Sequence, residues 1–325
     1  MTVMMMRRIG DNLKIEFQMK KFAIYGLLLF SGLQFVACSD DEDRPTPSNY
    51  NDDFFGVPAD ATGPEAELRR DFHKETGIHL LFTDTLRTTL IGKDPQGKDI
   101  YEYETIDFAW NLTNYNTSYD WEPKYIESID DKRKATDLFR EYIMPHIAGS
   151  SMAPYSVLLL ADLRAYNNNT FRVEDAYTTS CWRSIGVNTS GWITAETDED
   201  INAHTAGILK DLVSARFDSR SDEAAPWFEI SDEYYGADIV DYNEDWDGED
   251  LEYIYSLGFL DFNDHWSGRP NRDYFLYESS DFTMFFNAIF ERTEDDFKAE
   301  FGAYPVIMEK YNLMKSLIEQ TGYKF

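Results

Sequence analysis

The side chains able to carry acid–base, nucleophilic or metal chemistry are scattered along this chain. Its five histidines, His73, His79, His146, His204 and His265, include no two spaced four apart. Histidines at that spacing share one helix face and can hold a zinc ion, with an intervening glutamate to activate the bound water. Of the two cysteines, Cys38 and Cys181, the second stands beside Trp182 and reads as a small core residue rather than a nucleophile. Asp241, Asn243, Asp245 and Asp247 alternate and are followed by Gly248. Counted from Asn243, Gly248 is the sixth position of a calcium loop, but Ile254 stands at the twelfth, where a glutamate is needed. Counted from Asp241, Glu252 falls at the twelfth, but Trp246 displaces the glycine. Asn243, Asp245 and Asp247 are thus an incomplete calcium site, to be weighed against a solvated acidic loop. A nucleophile elbow, a phosphate loop and a dinucleotide fingerprint are all missing. With 60 acidic residues, no carboxylate pair stands out for glycoside hydrolysis.

The element that would position His204 is the stretch Thr197 to Phe217. Thr197 and Asp200 have capping-box spacing, and Asp198, Glu199 and Asp200 put negative charge at the positive end of a helix dipole. Ile201, Thr205, Ile208, Leu209, Leu212 and Val213 recur at helical period, so one face is buried. His204 lies near that face and reads as a hydrogen-bonded core histidine.

Before this helix the chain reads as strand-rich. Pro64–Glu75 is expected as a helix, followed by strands over Ile78–Phe82, Tyr101–Trp110, Tyr155–Ala161 and Ile185–Ala195. Gly92–Lys98 and Asn111–Tyr125 are expected as exposed loops, and Asp130–Met144 as a helix ended by Pro145. After it, helices follow from Asp281, from Thr293 and over Val306–Gln320, closed by Gly322. Phe282, Phe285, Phe286, Ile289 and Phe290 form an apolar stripe that reads as core.

In order and spacing, residues 64–325 resemble the zinc-binding metallopeptidase lipoproteins of Bacteroidota, a zincin-like family. Its active-site helix reads His-Glu-Phe-x-His-Ile-Leu. Aligning Ile208-Leu209 on that Ile-Leu places Ala203, His204 and Gly207 where the family has His, Glu and His. Gly258-Phe259 and Ser280-Asp281-Phe282 match a later Gly-Phe and a Glu-Asp-Phe motif that gives the family another zinc ligand; serine replaces the glutamate here. The resemblance implies a zincin-like α+β fold, a small mixed sheet packed on a central helix with a mostly helical C-terminal half. It also implies a degenerate metal site. Were a metal kept, His204 with Glu278 or Asp281 would be the place for it, a mixed and weak ligand set.

The chain has 325 residues and a formal charge of −30, which excludes nucleic acid as a partner. Lys20 and Lys21, the apolar run Phe22–Phe30 and Phe35-Val36-Ala37-Cys38 resemble a lipoprotein signal, with Phe35 in place of the usual leucine. Residues 1–37 are then a signal peptide, of which 1–18 read as an extension before a start at Met19. Removing it takes away five basic residues and two acidic ones, so the remainder is more negative still. Cys38 would carry the lipid, and the acidic run Asp40–Asp43 resembles an export tag for the outer face of the outer membrane. Residues 38–63 read as an acidic flexible linker.

The expectation is a surface-anchored outer-membrane lipoprotein with a single metallopeptidase-like domain, 64–325, that has lost zinc and catalysis and binds a peptide, protein or glycan. Its contact with the membrane is the lipid anchor alone, and no cofactor is expected, calcium aside. The alternatives are an active zinc enzyme with a rearranged site, and a glycan-binding protein of a polysaccharide-uptake system that uses Trp121, Trp246 or Trp266.

Overall fold

A computed structural model describes residues 53–109, 118–181, 183–217, 221–264 and 273–325. Its organising strand is β5, Ser156–Asn167, twelve residues long. The first half of β5 runs parallel to β1 (His79–Leu81) on one side and to β8 (Ser184–Asn188) on the other. The second half is antiparallel to β4 (Tyr119–Tyr125) and β6 (Arg172–Asp175). β7 (Thr178–Ser180) pairs antiparallel with β8 and is the outer strand of the path β1-β5-β8-β7. Val157 and Leu159 face the main core, while Leu158, Leu160 and Leu163 face a second cluster with Leu81, Ile106 and Phe108. A strand buried on both faces must be continuously apolar, which is how residues 157–160 read. β2 (Thr85–Lys93) and β3 (Asp99–Thr105) form a separate ribbon that leaves Leu90, Ile91, Tyr101 and Tyr103 exposed.

The helices before and beneath the sheet are α1 (Pro64–Thr76), α2 (Ile129–Leu138), α3 (Met144–Ile147), α4 (Ser190–Thr194) and α5 (Asp198–Ser214). In α5 the capping box forms between Thr197 and Asp200, and Ile208 and Val213 are fully buried. Each such side chain contributes about 1.5–3 kcal/mol by leaving water. The C-terminal half is helical: α6 (Ala225–Glu229), α7 (Leu251–Ser256), α8 (Glu278–Glu291), α9 (Glu294–Phe301) and α10 (Pro305–Gln320), with a two-stranded patch of β9 (Phe262–Asn263) and β10 (Tyr274–Phe275). The molecule is therefore α+β, with the sheet in the first half.

Four expectations are corrected. Residues 119–125 are strand β4 and not loop; four of its seven side chains alternate into partial burial, a weak signal on a strand carrying Pro123. The expected strand over 185–195 stops at Asn188, because Thr189 bonds the Leu160 carbonyl and the Asn188 side chain accepts from Ser190 to open α4. Pro145 does not end its helix. The turn widens over Phe139–Ile143, the Met144 amide reaches back five residues to the Phe139 carbonyl, and α3 continues through the proline. The phenylalanine helix begins at Glu278, three residues before Asp281.

The compact unit begins at Asp53, so residues 53–63 of the expected linker lie against the domain. Arg70 donates to the Pro58 and Ala61 carbonyls at 2.9 and 2.6 Å, and Asp53 meets His79 Nε2 at 2.9 Å.

Candidate functional site

The three positions compared above with the family motif, Ala203, His204 and Gly207, meet three fates on α5. Ala203 is exposed. Gly207 is buried under the ring of Tyr177, which precedes β7; a Cβ on Gly207 would stand 2.4 Å from Tyr177 Cε1. His204 is half-buried between Tyr177 and Trp192, its ring centroid 5.2 and 5.9 Å from theirs. Its Nε2 donates to the Asn188 carbonyl at 2.8 Å. Its Nδ1 lies over Gly191, where a Cβ would come within 2.3 Å. Its Nε2 is engaged by the Asn188 carbonyl, and the ring packs on Gly191, where any side chain would collide with it. Burial pulls its pKa below the ordinary value, against the opposing pull of the Asn188 bond.

Beside His204 is a cavity of about 350 Å³ that also touches Asp162, Arg164 and Asp175. Lys124 bonds Asp162 at 2.7 Å and holds its carboxyl below the usual range. Arg164 lies 3.4 Å from Asp162 and 3.6 Å from Asp175. Those acids are compensated by cations of the same sheet.

The remaining candidates for a metal lie elsewhere. Helices α5 and α8 pack antiparallel: Lys210 meets Glu291 at 3.1 Å, and the Phe217 ring packs tilted against Phe282 with centroids 5.3 Å apart. Asp281 is therefore beside the C-terminal end of α5. His204 is near the other end, on the order of 15 Å away at 1.5 Å per residue. They do not share an ion. Asp281 is fully buried and bound to Lys310, and Glu278 is exposed in the first turn of α8. The expected pairing of His204 with Glu278 or Asp281 is thus corrected by helix register. Among the described residues, no group of three or more His, Cys, Asp or Glu side chains is placed as metal ligands would be.

In the acidic loop, Asn243 accepts from the Asp245 amide at 3.2 Å and Asp247 from the Glu249 amide at 2.9 Å. Asp250 caps α7 by accepting from the Tyr253 amide. These side chains turn back on their own backbone, the usual Asx geometry. Trp246 is not exposed, contrary to expectation; it is buried with its Nε1 on Asp273 at 2.9 Å. Trp121 is half-buried against the second cluster. Trp266, Cys38, the leader and the acidic run lie outside the described residues. Cys181 is half-buried, and burial pushes its thiol up, away from the reactive thiolate.

Sequence reasoning missed a cleft of about 730 Å³ between β7 and the C-terminal end of α5. Thr178, Ser180, Tyr155, Arg183, Asp211 and Arg216 line it. The Tyr177 carbonyl accepts from Asn188 and the Cys181 amide donates to Ser184, so odd-numbered residues of this edge pair with β8. Thr178 and Ser180 then turn their main-chain groups toward the cleft. Asp211 Oδ2 takes the Thr178 amide at 3.3 Å, and burial pushes the Asp211 carboxyl up. Arg216 donates to the Ser151 carbonyl at 2.5 Å, and the Arg183 guanidinium sits 3.7 Å over the Tyr155 ring. The arrangement offers a strand edge and two cations, Arg183 and Arg216. Against family models, curated proteins and solved structures alike, the chain finds no match.

Proposed function

We propose that this chain is a surface-anchored lipoprotein whose zincin-like domain binds an extended peptide in the cleft between β7 and α5 and does not hydrolyse it. The observation that carries the reading is the seating of Tyr177 on Gly207, which fills the space a second imidazole would need. The pairing of His204 with Asn188 supports it, since the position of the water-activating acid is occupied by a base already committed to the fold. A sheet edge next to a cleft favours a peptide, because an added strand gains main-chain hydrogen bonds along the edge. Arg183 and Arg216 favour segments with acidic side chains in a protein that is otherwise strongly negative. Lipidation of Cys38 would hold the domain at the outer membrane.

The test uses purified protein and a library of fluorescent extended peptides. Saturable binding without cleavage, with and without added zinc, is expected. Ser180→Pro removes one cleft-facing amide while leaving the ladder to β8, so affinity should fall several-fold, in line with the ~1 kcal/mol of a hydrogen bond. Stoichiometric zinc together with peptide hydrolysis would overturn the reading. Metabolic labelling with a palmitate analogue, lost in Cys38→Ala, checks the anchor.

A further inference from the structure

Lys310 and Asp281 are both fully buried, and the ammonium contacts Asp281 Oδ2 directly. Four aromatic rings enclose the Lys310 nitrogen: Trp227 at 4.3 Å, Phe259 at 4.9 Å, Phe285 at 5.0 Å and Tyr235 at 5.8 Å to their centroids. The Tyr235 hydroxyl donates to the same Asp281 oxygen at 3.0 Å. Ser231 Oγ lies 3.4 Å from Lys310 Nζ. The other carboxyl oxygen, Oδ1, is buried without a hydrogen-bond partner among the described residues. An ion pair in so apolar a site forgoes the hydration of two charges, and one unpaired lone-pair set adds to that cost.

We propose that Lys310 and Asp281 become joined by a side-chain amide, a self-formed isopeptide crosslink between α8 and α10. The Lys310 Nζ lone pair adds to Asp281 Cγ, forming the N–C bond. The bond from Cγ to Oδ2 then breaks, and Oδ2 leaves as water with two hydrogens drawn from the amine and carboxyl. Oδ1 remains as the amide carbonyl. Charge balances, since an ammonium and a carboxylate become a neutral amide and a neutral water, and no oxidant or cofactor takes part. Tyr235 is placed to pass a proton to the departing oxygen and to recover one from the nitrogen. Burial acts on the reactants in the needed sense, pushing the Asp281 carboxyl up and the Lys310 ammonium down, each opposed by the other's charge. Both neutral forms are the reactive ones: a free amine attacks, and a protonated carboxyl releases water. The same aromatic enclosure that removes bulk water disfavours hydrolysis of the product. This inference is independent of the cleft and of any peptide ligand.

The test is tandem mass spectrometry of the full chain, denatured and digested with trypsin. The expected product is a branched peptide, its mass one water below the sum of an arm containing Asp281 and an arm containing Lys310. In Lys310→Arg the two arms separate. In Tyr235→Phe, which keeps the ring, the branched fraction should fall several-fold at equal time after synthesis. Recovery of the Asp281 and Lys310 peptides from wild type only as separate, unmodified species would overturn the proposal. Loss of water mapped to any other residue would overturn it as well. A Tyr235→Phe protein branched as fully and as fast as wild type would overturn the proton-transfer role given to Tyr235.

Discussion

Tyr177 sits on the backbone of Gly207, with a notional Cβ at 207 only 2.4 Å from two of its ring atoms. The same ring lies 5.2 Å from that of His204. One aromatic side chain from the approach to β7 thus packs on both 204 and 207, two of the three helix positions compared with the family motif. Gly207→Ala places a methyl group where the ring is. Alanine gains about 1 kcal/mol over glycine inside a helix, which offsets ring contacts of similar size. Tyr177 is 38% exposed and has somewhere to go. The expected outcome is a small change in thermal stability and a Tyr177 that is more readily nitrated. A loss of more than about 2 kcal/mol would mean that the ring cannot move and the helix shifts instead.

His204 gives stability a pH dependence whose sign follows from its surroundings. Burial holds its pKa below the ordinary value near 6.5, so the unfolded chain binds the proton more readily than the folded one. Its contribution is complete above the unfolded value and is lost as pH falls below it. His79 acts in the same sense, with burial outweighing the attraction of Asp53. Across pH 7, 6 and 5, urea unfolding of wild type should lose stability relative to His204→Gln as pH falls. An unchanged slope in that variant would remove His204 from the account.

The helix α5 was legible because its signals are local: Thr197 and Asp200 are three apart, and its apolar stripe has one period. The sheet's central strand was legible from an unbroken apolar run. What escaped depends on partners distant in the chain. The seat of Tyr177 on Gly207 follows from the register of β7 on β8, which no spacing within either segment declares. The buried pair joins residues 29 apart. One local sign of it existed: Lys310 falls on the buried stripe of Ile307, Tyr311, Met314 and Ile318, where a lysine is out of place. The cleft needed the sheet order before it could be seen.

Trp192 and Thr205 test how tightly α4 is fixed to α5. The indole Nε1 donates to Thr205 Oγ1 at 3.0 Å, and both residues are buried. Thr205→Val keeps the shape and removes the acceptor, leaving a buried N–H unpaired at a cost of about 1–3 kcal/mol. Thr205→Ser keeps the acceptor and should cost closer to the ~0.8 kcal/mol of one buried carbon. Urea midpoints at constant slope would measure the difference, and equal losses in the two variants would show that the hydrogen bond contributes little.

Asp211 links the fold of the cleft to its proposed use. Its carboxylate accepts the Thr178 amide and so occupies one of the outward donors of β7. Burial raises its pKa, so the folded state binds the proton more readily; the stability this group contributes is greatest below the unfolded value and is lost as pH rises through the folded one. Asp211→Asn keeps an oxygen for Thr178 and removes the buried charge. It should leave stability at neutral pH unchanged or slightly higher and leave peptide affinity near wild type. Asp211→Ala instead frees the Thr178 amide, giving an added strand one more donor beside the Ser180 amide, so extended peptides should bind several-fold tighter, consistent with ~1 kcal/mol for a hydrogen bond. Fluorescence anisotropy on the three proteins separates the cases. Equal affinity in Asp211→Ala and wild type would mean that the ligand does not use this edge of the sheet.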